Sequence, residues 1–163
     1  MKNRYNVLFL CTGNSARSIM AEAILRQKGV PRFGAYSAGS RPTGFIRPEA
    51  LMQLQTEHLS VEGLRSKTWD EFAKPASPQM DFVVTVCDNA AHEACPLWPG
   101  RPVTANWGIP DPAAAQGTRD EIARAFRDAF VKLDRRISQL LALPLEVLSR
   151  QEIQKEVERI GKE

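Results

Sequence analysis

A chain of 163 residues with 43% apolar and 25% charged side chains has the proportions of one ordinary globular domain with a single sizeable core. Its net charge of +3 is small and forms no run, so nothing calls for nucleic acid, while a small anionic ligand remains compatible. No stretch approaches the roughly 20 apolar residues of a membrane span and residues 7–10 are too short for the core of a secretion signal, so no membrane association and a cytoplasmic location are expected.

The chain opens with an aromatic and aliphatic run, residues 5–10, whose lack of alternation suits a strand buried on both faces. From Ser15 the period changes: Ile19, Ala23 and Ile24 fall on one helical face, and Gly29 with Pro31 stops the run. Residues 33–38 read as a second strand, ending in the turn-rich SAGSRPTG. Pro48 then stands where a first helical residue is favoured, ahead of Ala50, Leu51 and Leu54 in phase. SKTWDEF reads as a short helix start capped by Ser66 or Thr68. MDFVVTVC is a third buried strand, and RPVTANW a fourth, leading into the loop GIPDPAAAQGT. Thr118 can cap a long helix with apolar positions Ile122, Phe126, Phe130, Leu133, Ile137, Leu140 and Leu141, which Pro144 breaks. Ser149 with Glu152 makes a capping box for a last helix carrying Ile153, Val157 and Ile160. The expected organisation is one catalytic domain over residues 1–144, with the helix of residues 145–163 docked on it. Alternating strands and helices predict an α/β fold, a parallel sheet flanked by helices, with ligands outside the carboxyl ends of the strands.

Three cysteines, Cys11, Cys87 and Cys95, are an odd number and argue against a structural disulfide framework in a reducing compartment. Cys11 and Cys87 each end a buried strand. Cys11 read alone is either a small core hydrophobe or a nucleophile, and its loop decides for the second. If residues 11–17 wrap a tetrahedral oxyanion, backbone N–H groups converge on it and the next helix aims its positive end there. Gly13 permits close approach, Asn14 tolerates a left-handed conformation, and Arg17 offers a planar fork matched to two oxyanion oxygens. The same surroundings favour the Cys11 thiolate, which Ser18 can stabilise further. The cradle thus comprises Thr12, Gly13, Asn14, Ser15, Ala16, Arg17 and Ser18.

VLFLCTGNSARSIMAEAIL resembles the low-molecular-weight tyrosine phosphatase superfamily, and specifically its arsenate reductase branch. YSAGSRPTGFIRPEAL, SKTWDEF, FVVTVCDNAAHEACPLWPG and NWGIPDPA extend the resemblance over nearly the whole chain. It implies the phosphotyrosine phosphatase I-like fold, a four-stranded parallel sheet. Asp111 between two prolines is then the natural general acid, the alternative being a turn or helix-cap aspartate. Phosphatases of the superfamily usually carry a second cysteine in the loop, where this chain has Ala16, and aromatic residues just after the acid, where DPAAAQG offers none. Cys87 and Cys95 are surplus to hydrolysis, whereas reduction needs two electrons.

The resemblance implies that Cys11 attacks arsenate, that Cys87 then attacks Cys11 with release of arsenite, and that Cys95 moves the disulfide to Cys87–Cys95. Each step is thiol–disulfide exchange. Seven residues separate Cys87 from Cys95; on an intact helix that is more than about 10 Å, too far for a disulfide, so the segment must unwind. The alternative for Cys95 is a packed thiol outside turnover. The best-known thioredoxin-coupled relatives have six intervening residues, so thioredoxin is the first expectation for the reductant and glutaredoxin with glutathione the second. Phosphate is expected to compete with arsenate, and the enzyme is expected to be monomeric and to need no cofactor. A low-molecular-weight tyrosine phosphatase is the alternative function. Some relatives hold potassium through residues matching Asn14, Glu22 and Ser37. Lys67 falls near a further ligand position, and its ammonium would make the ion redundant, so no metal is expected. His92 is read as solvent-facing or as a weak electrostatic aid to a neighbouring thiol, His58 as a helix C-terminal cap, and Trp69, Trp98 and Trp107 as packing residues.

Overall fold

The computed structural model describes residues 4–88, 90, 93 and 96–163. In chain order the described elements are β1 (Tyr5–Leu10), α1 (Arg17–Lys28), β2 (Phe33–Ala38), α2 (Pro48–Thr56), β3 (Phe82–Thr85), β4 (Val103–Asn106), α3 (Arg119–Leu141) and α4 (Arg150–Ile160). The four strands form one parallel sheet in the order β2-β1-β3-β4, with Leu10 level with Ala38 on one side and Thr85 on the other. Chain direction across the sheet reverses between β1 and β3, so a crevice opens at their carboxyl ends. Cys11 and Cys87 follow those two strands directly.

Alternation along β1 sends Val7 and Phe9 to one face and Leu8 and Leu10 to the other, and both faces are covered. The larger core joins β1 to Ile19, Met20 and Ile24 of α1 and to Phe126, Phe130, Leu133 and Ile137 of α3. The smaller core sets Leu8 and Leu10 against Phe72, Met80 and Val83. A continuous apolar run is therefore what β1 requires, since neither face meets water.

Local signals act where expected. Both long carboxyl-terminal helices start with complete capping boxes, Thr118 with Glu121 and Ser149 with Glu152. Pro48 occupies the first turn of α2, and Thr68 accepts from Asp70 N–H at the start of a 3-10 turn, Trp69–Phe72. His58 lies just past α2 with φ +60°, and the Leu59 N–H reaches back to Leu54 O, a left-handed helix stop at a position glycine usually fills. The α3 face also buries Arg136, which periodicity alone did not single out. Its guanidinium donates to Trp107 O at 2.6 Å and to Glu163 O at 3.0 Å.

α4 packs along β4, the exposed edge of the sheet. Gln154 donates to Thr104 O at 2.7 Å, and the fully buried Trp107 donates its indole N–H to Val157 O at 2.9 Å. Gly161 permits this close approach, since a Cβ there would collide with Asn106 O and Trp107. The helix thus covers unpaired edge groups that would otherwise face solvent. Among the described residues no helix is long and apolar enough to cross a membrane.

Candidate active site

Cys11 extends the ladder of β1 by one bond, its N–H donating to Ala38 O at 3.2 Å. The chain then turns through residues 12–16 into α1, and its carbonyls are tied down on the outside. Thr12 O accepts from Arg41 N–H, Gly13 O from Thr43 N–H and the Ser66 hydroxyl, and Ser15 O from Arg47 N–H. Gly39 lies so close beneath that a Cβ would strike the Cys11 and Thr12 carbonyls. Gly13 N–H points at the Cys11 sulfur. Ala16, at the N-cap of α1, offers no side-chain cap, which leaves the first N–H groups of the helix available to an anion.

Asn14 holds the turn with φ +45° and is fully buried. Its amide nitrogen donates to Ser18 at 2.8 Å and Ser37 at 3.0 Å, and its oxygen accepts from Lys67 N–H at 2.8 Å. Ser37 in turn donates its hydroxyl hydrogen to Glu22 Oε1 at 2.5 Å. Into this cluster projects the Lys67 ammonium, 3.7 Å from Glu22 Oε1 and bonded at 2.9 Å to Arg65 O. Burial pushes the Lys67 pKa down, against the pull of Glu22. The oxygen set that could surround a cation therefore faces a covalently attached one. Among the described residues no cluster of His, Cys, Asp and Glu is arranged to hold a metal.

Above the loop is a cavity of about 410 Å³, lined by Cys11, Gly13, Ser15, Arg17, Arg47 and Asp111 among others. Arg17 donates to Ile109 O at 2.9 Å, and its Nη2 lies 3.7 Å from Asp111 Oδ2. Its buried Nε has no hydrogen-bond partner among the described residues, which leaves a donor open to a bound anion. Asp111 both caps the turn Pro112–Ala114, accepting from Ala113 N–H at 3.0 Å, and keeps its second oxygen on the cavity. The two sequence readings of Asp111 are thus compatible.

Cys11 and Cys87 are both buried, at the ends of neighbouring strands. Each thiol is the largest influence on the other, so the pair gives up its first proton easily and its second with difficulty. Cys11 holds Cys87 down to about 5, and Cys87 pushes Cys11 up. Burial raises both. Arg17 and Gly13 N–H favour charge on Cys11, while Ala90 N–H, 3.4 Å from the Cys87 sulfur, favours charge there. The arrangement can press a tetrahedral oxyanion against a thiol with a second thiol waiting alongside.

The structure brings together Cys11, Arg17, Asp111, Cys87 and the residues supporting the loop. Cys95 and His92 lie outside the described residues. Three contributors escaped the sequence reading. Phe45, 56% exposed, lines the cavity mouth, so an aromatic side chain is present although none follows the acid. Arg47 lines the same cavity and donates to Ala113 O at 3.3 Å. Glu93 accepts from Thr12 at 3.0 Å and from Ser40 at 2.6 Å. An aromatic in the glycine-bearing turn TGFIR was the one available signal for Phe45. Contacts spanning 66 and 81 positions gave none for Arg47 or Glu93.

Comparison with known proteins agrees with this geometry. An arsenate reductase of Oceanobacillus iheyensis is 35% identical over 131 residues, 80% of this chain and 91% of that one. The crystal structure of the arsenate reductase from Archaeoglobus fulgidus superposes with a TM-score of 0.65 at 25% identity, covering 84% of this chain and 99% of the other. A thioredoxin-dependent arsenate reductase of Corynebacterium glutamicum gives 0.58 at 25% identity, over 84% of this chain and 63% of its own. The profile of the low molecular weight phosphotyrosine protein phosphatases matches residues 6–159, and the chain belongs to that family.

Proposed function

We propose that this protein reduces arsenate to arsenite. The observation that carries the reading is the second buried thiol, Cys87, which follows the strand next to that of Cys11 and lies 3.8 Å from Thr12 of the anion-binding loop. Hydrolysis has no use for it. Arsenate binds to the loop N–H groups and the Arg17 fork, and the Cys11 thiolate attacks arsenic. Asp111, 45% exposed and within reach of Arg17, protonates the departing hydroxide, which leaves as water. The Cys87 thiolate then attacks the Cys11 sulfur. An S–S bond forms, the S–As electron pair stays on arsenic, and arsenic falls from the pentavalent to the trivalent state and leaves as arsenite. Cys95 attacks Cys87, with Cys11 departing as thiolate, and an external dithiol reduces the Cys87–Cys95 bridge. Thioredoxin is the proposed dithiol, with glutaredoxin and glutathione as the alternative donor.

Coupled to thioredoxin, its reductase and NADPH, the protein is expected to oxidise NADPH only when arsenate is present. Phosphate slows the reaction competitively, and Cys11→Ser or Cys87→Ser abolishes it. The proposal fails if neither thioredoxin nor glutaredoxin with glutathione supports arsenate-dependent oxidation. Phe45 at the cavity mouth favours a second activity, since its ring can flank an aryl group. Hydrolysis of an aryl phosphate that needs Cys11 but not Cys87 would establish that phosphatase reading.

A further inference from the structure

The buried face of α3 carries Phe126, Phe130, Leu133, Ile137 and Leu140, and among them the charged Arg136, 7% exposed. An apolar side chain would fill that face at less cost in desolvation. What the guanidinium adds is a planar set of donors with fixed directions. Its Nη1 donates to Trp107 O at 2.6 Å and Gly108 O at 3.5 Å, and its Nη2 to Glu163 O at 3.0 Å, just past α4. Arg136 therefore fastens the chain leaving β4 to the far end of α4. The helix grips the same place from its own side, since Val157 O accepts from the Trp107 indole and Gly161 packs directly against Trp107.

The gripped segment leads straight to Asp111. Ile109 is buried, its N–H donates to Val86 O at 3.2 Å, and its carbonyl accepts from Arg17 Nη1 at 2.9 Å. Pro110 comes next and fixes its own φ, while Pro112 restricts Asp111 itself, so there is little slack between Ile109 and the acid. Asp111 Oδ1 is engaged within its own loop by Ala113 N–H, and Oδ2 lies 3.7 Å from Arg17 Nη2, beyond a hydrogen bond. The position of the loop backbone thus decides where the carboxyl stands.

We propose that Arg136 and α4 clamp the segment from Trp107 to Ile109, and that Arg136 is a positioning residue holding the Asp111 carboxyl within reach of the bound oxyanion. The inference rests on the reading of Asp111 as the proton donor in arsenate reduction.

The test times arsenite release over a single turnover. Reduced full-length protein is mixed with saturating arsenate and no external reductant, for wild type, Arg136→Met, Asp111→Asn and the double variant. Arg136→Met should slow release by about ten- to a hundredfold, while inhibition by phosphate changes little because the loop N–H groups and Arg17 remain. In the Asp111→Asn background it should add nothing, since the loss runs through Asp111; a mere loss of folded protein would multiply in both backgrounds. Amide exchange over residues 106–111, read by mass spectrometry without arsenate, should be faster in Arg136→Met. Trp107→Phe keeps a ring and drops the N–H to Val157 O, and should move both readouts the same way by less, which keeps the clamp testable where Arg136→Met does not fold. A wild-type rate in the variants, an equal loss in the Asp111→Asn background, or unaltered exchange overturns the proposal. Exchange requires no turnover, so a wild-type protein that releases no arsenite sinks the reductase reading, while exchange still decides on the clamp.

Discussion

Replacing Lys67 by methionine removes the buried ammonium from the cluster beneath the anion loop. The Glu22 side chain is 10% exposed and its Oε1 lies 3.7 Å from the Lys67 ammonium. Stripped of that partner, its carboxylate keeps the Ser37 hydroxyl as its hydrogen-bond donor among the described residues. Breaking a buried pair from one side costs about 3–5 kcal/mol, because the remaining charge is left without compensation. For a domain of this size each kcal/mol is worth about 2–4 °C, so the melting temperature should fall by roughly 10 °C. Glu22, Ser37 and Arg65 O would then surround a space fit for a monovalent cation. At tenfold excess over its Kd, potassium would restore about 1.4 kcal/mol. The assay is thermal unfolding in potassium chloride against choline chloride at equal ionic strength, for Lys67→Met, Glu22→Gln and the double variant. Three results would refute the reasoning: a fall under about 2 °C, no response to potassium, or the same loss in the Glu22→Gln background.

Cys87→Ala removes the largest influence raising the Cys11 thiol, leaving Arg17 and Gly13 N–H to oppose burial. The Cys11 pKa therefore falls, and the alkylation midpoint of Cys11 should move to lower pH; an upward move would contradict the coupling of the two thiols. Asp111→Asn should lower kcat by about 10²–10⁴ while phosphate inhibition changes little, as expected of a proton donor 3.7 Å from the fork it does not need for anchoring. Gly161→Ala forces a Cβ against Asn106 and Trp107 and should destabilise the protein by about 1–3 kcal/mol, read by urea unfolding, without changing KM for arsenate.

What was legible in the sequence was what short stretches of chain decide. The apolar run of β1, the caps Thr118 and Ser149 and the breakers Gly29 and Pro144 act within a few residues, and each element begins or ends at them. The cradle was legible for the same reason: Cys11, Gly13, Asn14 and Arg17 lie within seven positions. Asn14 even adopts the left-handed conformation its side chain allows. Asp111, Cys87 and the Lys67 cluster came into view through family resemblance, since no local pattern joins them to the loop. Arg136, Arg47 and Glu93 stayed hidden because each is a charged residue whose partner lies on a distant segment. Charged residues are ordinarily solvated, and only the folded chain shows that the Arg136 guanidinium closes the end of α4.

The central claim is that two further thiols serve the nucleophile Cys11, and mapping disulfides after a single turnover tests it most directly. Fully reduced protein is mixed with arsenate without any external reductant, quenched in acid and digested, and the bridged peptides are identified by mass spectrometry. A Cys87–Cys95 bridge that forms only with arsenate, and a Cys11–Cys87 bridge in its place in Cys95→Ser, is the predicted result. Absence of any arsenate-dependent bridge, with Cys11-dependent hydrolysis of an aryl phosphate intact, would contradict it and leave a phosphatase.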